Sequence, residues 1–316
     1  MDRATWRVRL ARTCARVDGV EVRLTHPDKV LWPEEGLSKR DLAAYYLAVA
    51  PYALPYVADR PLTLEVFPQG LGGRAVYIKQ RPRGAPAWLR EACLRATKGH
   101  EVCYVVAGED ATGAATLAWL ANRSSIPVHA WLSRVWSPRQ PDWLVFDLDP
   151  GEGATFAQVV RLAQWLRCHL EDQGLRSWVK VSGSRGLHVL VPIAPERDYA
   201  RTRAYADRVA AEAVRALPGD ATLAWPLAER RGRVFVDVRR NGYGATIVAP
   251  YSVRALPGAP VSVPLDWREL DDPDLSPRRW NVHSTLERLR EIGDPLAEAL
   301  RSSQHLPEPP RARRAS

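Results

Sequence analysis

Apolar and polar positions alternate most regularly in the middle of the chain, where a period of two predicts strands and a period of about 3.6 predicts helices. Capping boxes mark two helix starts, at Ser38 and Thr155. We expect Pro51 to end the first of these helices after about a dozen residues. The predicted strands are 61–67, 76–79, 143–149, 178–182, 187–192, 233–238 and 245–249, and the predicted helices are 39–50, 155–173, 198–217 and 284–300.

This mixture of helices and hairpins predicts an α+β fold. The first 25 residues are Arg-rich and weakly patterned, so we expect a poorly structured arm there. Ordered structure is expected over residues 26–302 as a single domain. Residues 303–316 are rich in Pro and Arg, a composition typical of a disordered basic tail.

Composition narrows the class of protein. A hydrophobic content of 46% is enough for a sizeable core, and the formal charge of +9 suggests a polyanionic partner. An Arg-heavy sequence can also reflect genome base composition, so charge alone decides little. No apolar run reaches the roughly 20 residues of a membrane span, and no signal peptide is evident. We therefore expect no membrane association.

The cysteines give no sign of a structural framework. There is no C-x-x-C pair, so neither a zinc site nor a disulfide framework is predicted, and a reducing cytoplasm fits best. The four cysteines are Cys14, Cys93, Cys103 and Cys168.

Three carboxylates are candidates for chemistry. Asp147 and Asp149 lie two apart on one predicted strand, so their side chains share a face. Their mutual repulsion would be relieved by Mg²⁺ or Mn²⁺ with hard oxygen ligands. Asp237, in the middle of another strand, also needs a partner. The alternatives are a solvated turn at Pro150 for the pair, and an ion pair with an arginine for Asp237.

A second candidate is the turn Ser182-Gly-Ser-Arg-Gly-Leu-His188 between two predicted strands. It offers backbone N–H groups, two hydroxyls, the guanidinium of Arg185 and the imidazole of His188, which together suit a triphosphate. An ordinary hairpin turn with an unremarkable histidine is the alternative interpretation of this motif.

Together with Ala249-Pro-Tyr-Ser-Val-Arg254, these motifs resemble the polymerase domain of bacterial DNA ligase D, in the archaeo-eukaryotic primase superfamily. The resemblance runs from His26-Pro-Asp-Lys-Val-Leu-Trp-Pro33 through Ala85-Pro-Ala-Trp88 to Gly293-Asp-Pro295. It implies a primase-polymerase core, RRM-like, with a mixed or antiparallel sheet and flanking helices, plus an N-terminal α/β lobe. The lobes would cover about 26–130 and 131–302.

The resemblance also implies roles for individual residues. The three aspartates would be catalytic and would bind two divalent ions, Mn²⁺ or Mg²⁺, while other polar residues would hold the nucleotide. The metal ligands implied are Asp147, Asp149 and Asp237; the triphosphate contacts are Ser182, Arg185 and His188; further basic residues of the nucleotide site are Arg230 and Arg254; and His129 would lie close to the nucleotide sugar.

The DNA contacts match the family less completely. Lys29 matches a lysine that contacts the 5′-phosphate across a gap, whereas Glu65 stands where the family often has a second lysine. A carboxylate near a terminal phosphate would oppose binding, so we expect 5′-phosphate recognition either to be weakened or to use another basic residue such as Lys79. Of the paired aromatics that support the template base, Tyr77 keeps one stacking face and Val76 does not.

By this resemblance the chain adds nucleotides to primer 3′ ends, favours ribonucleotides and manganese, and fills gaps or processes broken DNA ends alongside Ku. No K-x-D-G adenylation motif occurs, so we expect a standalone polymerase, cytoplasmic and nucleoid-associated, with DNA ligase on a separate chain. Two alternatives remain open: a two-metal phosphoesterase or nuclease, and a non-catalytic DNA-end-binding scaffold.

Overall fold

The computed structural model describes residues 6–308. They form an α+β fold dominated by antiparallel sheets, which confirms the predicted fold class. The strands are β1 (Val8–Leu10), β2 (Cys14–Val17), β3 (Val20–Arg23), β4 (Val30–Trp32), β5 (Leu37–Ser38), β6 (Pro61–Val66), β7 (Val76–Ile78), β8 (Glu91–Arg95), β9 (Glu101–Val106), β10 (Ser125–Trp131), β11 (Trp143–Pro150), β12 (Trp178–Val181), β13 (Leu187–Pro192), β14 (Ala221–Thr222), β15 (Val234–Asp237), β16 (Thr246–Val248) and β17 (Pro264–Leu265). The helices are α1 (Lys39–Val57), α2 (Ala111–Asn122), α3 (Phe156–Asp172), α4 (Tyr199–Ala216), α5 (Leu227–Arg230) and α6 (Ser284–Ile292), with 3-10 turns at Trp267–Asp271 and Ala297–Arg301.

Two six-stranded sheets organise the fold. Sheet A has the strand order β16-β10-β6-β9-β8, with β7 also paired to β6. Sheet B has the order β14-β15-β11-β13-β12-β17, in which β14 and β15 form its one parallel pair among the described residues. Strand β16 lies between β15 and β17 of sheet B in the chain but pairs with β10 of sheet A. The predicted division into lobes at residue 130 is therefore wrong for this segment, because pairing, and not sequence order, decides which sheet a strand joins.

Helices cover one side of each sheet. Two of them begin at the predicted capping boxes, with Ser38 capping α1 and Thr155 capping α3. Helices α3 and α4 contact β11, whose apolar face is fully buried. That packing leaves the other face of β11, with Asp147 and Asp149, free to line a cleft.

A buried ion pair joins the two sheets. Arg60, just before β6, is 1% exposed, and its guanidinium bonds both carboxylate oxygens of Asp142, just before β11, at 2.6 and 2.7 Å. Arg134 adds a third bond to Asp142, at 3.1 Å. Such a bidentate pair fixes orientation as well as distance, so it ties the start of β6 to the start of β11.

The predicted N-terminal arm is wrong over its described part. Strands β1, β2 and β3 form a three-stranded antiparallel sheet that packs on α2. Ala15, Val17 and Val22 are buried there, whereas Arg16 and Glu21 between them are exposed. These strands are short and carry several charged residues, so the alternation of apolar and polar positions is hard to recognise in the sequence. Residues 1–5 lie outside the described residues.

The predicted end of the first helix is also wrong. Helix α1 continues through Pro51 and Pro55 to Val57. A proline inside a helix costs about 3 kcal/mol through its missing N–H and its ring contact. Here that cost is offset by packing on α2 and by the hydroxyl of Tyr46, which donates to the Ile126 carbonyl at 2.5 Å.

The C-terminal prediction needs two corrections. The helix predicted over 284–300 ends at Ile292, because Gly293 adopts a φ of 71° and Pro295 follows. The first part of the predicted tail is ordered: Gln304 bridges Ile193, and the Leu306 side chain is buried. Residues 309–316 lie outside the described residues.

A disulfide contradicts the prediction that the cysteines are unpaired. Cys93 and Cys103 face each other across the β8–β9 hairpin and are bonded. Their spacing does not suggest a pair until the hairpin register is known. Together with Glu101 they form the one group of three potential metal-ligating side chains among the described residues whose ligand atoms all lie within 4.8 Å of one another, but bonded cysteines cannot act as thiolate ligands. None of the described helices is both long and apolar enough to cross a membrane.

Candidate active site

Two of the three candidate carboxylates, Asp147 and Asp237, lie in one row across the centre of sheet B. In the register of the sheet, Asp147 on β11 is the direct partner of Asp237 on β15 and of His188 on β13. His188 in turn lies opposite Lys180 on β12. Direct cross-strand partners on one face have side chains about 5 Å apart, so the row brings two acids, an imidazole and an ammonium together.

Arginines already pair with each of the three carboxylates. The Nε of Arg240 is 3.4 Å from Asp147 Oδ2 and 3.3 Å from Asp237 Oδ2. Asp149 instead pairs with Arg185 at 2.9 Å and with Arg230 at 2.7 Å. One cation therefore bridges the Asp147 and Asp237 carboxylates, and two others engage Asp149.

The protonation states follow from burial and these partners. Burial alone would raise the pKa of Asp147, but His188, Arg240 and Lys180 together hold it below its usual range. Burial raises the pKa of Asp237, and Arg240 offsets only part of that rise. Burial, with Lys180 nearby, lowers the pKa of His188 to about 4. At neutral pH, His188 is therefore a neutral imidazole whose Nε2–H donates to Asp147 Oδ1 at 3.3 Å.

The donor set suits a hard divalent cation. Asp147 and Asp237 already converge on the single positive group of Arg240, and ionised carboxylate oxygens are the ligands that Mg²⁺ and Mn²⁺ prefer. Asp149 is turned toward Arg185 and Arg230, so its oxygens would have to leave these arginines to join a shared site. Asp147, Asp149 and Asp237 thus fit such ions, with the arginines as competitors.

The turn between β12 and β13 is held by its own side chains. The hydroxyl of Ser182 accepts hydrogen bonds from the backbone N–H of Ser184 at 3.2 Å and of Gly186 at 3.1 Å. A Cβ on Gly186 would lie 1.8 Å from the Leu148 carbonyl oxygen, so only glycine allows the turn to approach β11. Ser182 therefore shapes the turn that sequence analysis assigned to a triphosphate.

Arg254 stands at the same turn. Its Nη1 donates to the Ser182 carbonyl at 3.1 Å, and its aliphatic part packs over Gly183, whose φ is 69°. Burial lowers the pKa of the Arg254 guanidinium, and the nearby carboxylates of Glu65 and Asp147 offset only part of that change. The predicted phosphate-binding residues Ser182, Arg185, His188 and Arg254 thus line one cavity, whereas Arg230 reaches it only through Asp149.

Sheet A forms the opposite wall of this cavity, which has a volume of about 360 Å³. His129 on β10 and Glu65 on β6 meet there, with His129 Nε2 3.0 Å from Glu65 Oε2. The Tyr77 hydroxyl donates to Glu65 Oε1 at 2.8 Å, while the Tyr77 ring is exposed. Glu65 is thus part of the same site as the aspartates.

Two lysines line a second, separate cavity. Its lining residues are His26, Asp28, Lys29, Lys39 and Ser124, and Glu65 is not among them. Glu65, which the resemblance placed with Lys29 beside the 5′-phosphate, therefore lines a different cavity from Lys29. Lys79 is exposed and lines neither of these two cavities. Burial, with Lys29 nearby, lowers the pKa of Lys39 to about 8.

The sequence matches a family model described as the LigD primase-polymerase domain over residues 38–296, most of the chain. The chain belongs to the LigD primase-polymerase domain family. This is a family of nucleotidyltransferases, and the membership confirms the resemblance on which the residue assignments rest.

Relatives of known name support the family assignment. The chain is 35% identical over 278 residues to the multifunctional non-homologous end joining protein LigD of Mycolicibacterium smegmatis, covering 87% of this chain and 36% of that protein. It is 28% identical over 288 residues to the bifunctional LigD of Bacillus subtilis, covering 91% of this chain and 45% of that protein. The chain thus spans about a third to a half of these relatives' length.

A solved LigD structure has the same fold. It is the polymerase domain of Mycobacterium tuberculosis ligase D in complex with DNA, 35% identical to this chain, with a TM-score of 0.82. The match covers 89% of this chain and 99% of that domain.

Three residues in or beside the two cavities were not predicted from the sequence. Lys180 was hidden because its strand is buried on both faces and was analysed only as a hairpin arm. Arg240 follows β15 by three residues, a spacing that could have indicated its contact with Asp237. Lys39 lies at the start of α1, and only the folding of the preceding loop brings it beside Lys29.

Proposed function

We propose that this LigD-type polymerase domain is a template-dependent nucleotidyltransferase. It adds nucleotides, preferentially ribonucleotides, to primer 3′ ends by a two-metal mechanism. Its DNA substrates are short gaps and broken ends in double-strand-break repair.

The observation that carries the proposal is the position of the carboxylate row relative to the β12–β13 turn. Asp147 and Asp149 line the same cavity as Arg185 of this turn and Arg254 beside it, and Asp237 is the cross-strand partner of Asp147. Acidic groups that can hold cations next to a cradle for anions suit a nucleoside triphosphate. A nuclease would need only the acidic groups that hold cations.

The chain's own residues would have distinct tasks. Asp147, Asp149 and Asp237 would hold the cations, which when bound would activate the primer 3′-hydroxyl and stabilise the pentavalent phosphorus. Arg185 and Arg254 would neutralise the triphosphate. The neutral imidazole of His188 would keep Asp147 oriented and ionised through its Nε2–H.

The cavity around Lys29 and Lys39 supports recognition of a 5′-phosphate on the far side of a gap. Two ammonium groups beside one cavity provide the charge that a phosphate dianion requires, and Asp28, which also lines it, is paired with Arg12 at 2.7 Å. Lys39 takes the role that sequence analysis assigned to Lys79. The exposed ring of Tyr77 remains the proposed platform for a template base.

The partners follow from the DNA substrate. The relatives are named for non-homologous end joining, so we propose Ku-bound DNA ends and a DNA ligase as the partners of this chain. The same substrate would place the activity in the bacterial cytoplasm.

Primer extension on a gapped duplex tests the proposal. The duplex carries or lacks the 5′-phosphate, and each nucleotide type is combined with Mn²⁺ or Mg²⁺. We expect templated addition, faster with ribonucleotides and with the 5′-phosphate, and no addition by Asp147→Ala or Asp149→Ala proteins.

Two results would contradict the proposal. Shortening of the labelled primer without added nucleotide would indicate a nuclease. Salt-sensitive DNA binding with no extension under any condition would indicate a scaffold.

A further inference from the structure

Glu65 is an unexpected acid in a cavity built for anions. Apart from Asp147 and Asp149, it is the one carboxylate that lines this cavity among the described residues. It lies on sheet A, across the cavity from the Ser182–Gly186 turn. The turn wall offers the guanidinium of Arg185, whereas this wall offers a hydrogen-bond acceptor.

The fold holds this carboxylate in place. Tyr77 is the cross-strand partner of Glu65 and donates its hydroxyl to Oε1 at 2.8 Å. His129, the partner of Thr63 on the next strand, lies 3.0 Å from Oε2. Each carboxylate oxygen has two acceptor positions, so one position on each oxygen is still open. The side chain is 13% exposed, and the cavity is the space into which it opens.

Glu65 is the charged member of this group. Burial alone would raise the pKa of Glu65, but the hydrogen bonds from His129 and Tyr77 lower it below its usual value. Burial lowers the pKa of His129 despite Glu65. A neutral imidazole beside a carboxylate must donate its Nε2–H, so His129 orients an ionised acceptor, and the guanidinium of Arg254 is close enough to act on the charge of that acceptor.

Away from the cations that Asp147 and Asp149 would hold, an ionised carboxylate cannot face a phosphate, because two anions in a partly desolvated cavity repel each other strongly. It must therefore meet the part of a nucleotide that donates hydrogen bonds. Those donors are the sugar hydroxyls and the amino groups of the bases. In templated synthesis the base edge is occupied by its Watson–Crick partner, which leaves the sugar hydroxyls for Glu65. The unpartnered hydroxyl of Thr63, on the same wall, adds a second polar group there.

We propose that Glu65, held by Tyr77 and His129, is a specificity-determining residue that accepts a hydrogen bond from a sugar hydroxyl of the incoming nucleoside triphosphate. This inference rests on the proposed function and deepens it. It makes the preference for ribonucleotides depend on one acidic side chain of sheet A.

The test compares kcat/KM for a ribonucleoside triphosphate with that for its 2′-deoxy and 3′-deoxy analogues carrying the same base. We expect Glu65→Ala to lower the preference over at least one deoxy analogue by about 10- to 100-fold, the effect of losing a hydrogen bond to a charged group. Glu65→Gln keeps one carbonyl acceptor and should fall between Ala and wild type. The matched control is Glu101→Ala, an exposed acid of the same sheet, which should leave both preferences unchanged.

The outcomes separate this inference from the proposed function. If Glu65→Ala and Glu65→Gln lower kcat/KM for all three nucleotides by the same factor, Glu65 only supports the wall and the inference is overturned. A change that depends on an amino group of the base, with unchanged sugar preference, overturns it as well. If wild type extends no primer with any nucleotide, the proposed function itself fails.

Discussion

Replacing Arg230 should change metal and nucleotide binding in opposite directions. Arg230 is 5% exposed, and its Nη1 donates to Asp149 Oδ2 at 2.7 Å. It therefore holds a proposed metal ligand in an ion pair while also adding positive charge beside the triphosphate site. In Arg230→Gln, nucleotide-free protein should bind Mn²⁺ more tightly, and the affinity for nucleoside triphosphate should fall.

The expected size of the change in affinity follows from the burial of Arg230. A hydrogen bond to a charged group contributes about 1.5–3 kcal/mol, which corresponds to roughly 10- to 100-fold in affinity. Arg185 also pairs with Asp149, but its side chain is 53% exposed, and an exposed pair contributes at most about 1 kcal/mol. The buried Arg230 should thus dominate the competition for Asp149, and Arg185→Gln should tighten Mn²⁺ binding less than about 5-fold.

Calorimetric titration of nucleotide-free protein with Mn²⁺ measures the first effect, and titration with a non-hydrolysable nucleotide measures the second. Arg203→Gln is the control, because Arg203 pairs with Asp207 on the surface of α4. Mn²⁺ binding by Arg230→Gln that is no tighter than in wild type would refute the reasoning.

Two other predictions concern stability and pH. Asp142→Asn should lower the free energy of unfolding by about 3 kcal/mol, because it leaves the buried guanidinium of Arg60 without its counter-charge; a loss below about 1 kcal/mol in urea unfolding would contradict this. The preference for a 5′-phosphorylated gap, measured in kcat/KM, should weaken between pH 7 and pH 9. The reason is that the pKa of Lys39 is about 8, and only its charged form, present below that pKa, attracts phosphate. A preference that is equally strong at both pH values, or Lys39→Met protein with an unchanged pH dependence, would rule out Lys39 as the titrating group.

The parts of the fold that sequence predicted are those with local causes. Helix α3 begins at its capping box and the β12–β13 hairpin closes on its glycines, since both signals lie within a few residues. Helix α1 passes Pro51 and Pro55 because tertiary packing outweighs a local preference. The Cys93–Cys103 bond depends on a hairpin register that spacing does not reveal.

In the candidate site, too, only the features that depend on neighbouring residues in the sequence were predictable. Because side chains alternate along a strand, Asp147 and Asp149 on β11 lie on one face, as expected from their spacing. That Asp147 has Asp237 on one side and His188 on the other depends on the strand order of sheet B, which is a property of distant segments. The location of Glu65 opposite the turn depends on how sheets A and B face each other, so the sequence alone assigned it to another site.

The central claim is that the carboxylate row is a nucleotidyl-transfer centre. It is tested most directly by the rate of single-nucleotide addition to a primer–template, with Mn²⁺ and saturating nucleotide, in Asp237→Asn and Asp207→Asn proteins. Both changes remove one carboxylate charge, but Asp207 lies on the exposed surface of α4. We predict a loss of about 1,000-fold for Asp237→Asn, about 4 kcal/mol in the barrier, and no change for Asp207→Asn. Equal rates in the two folded variants would contradict the account.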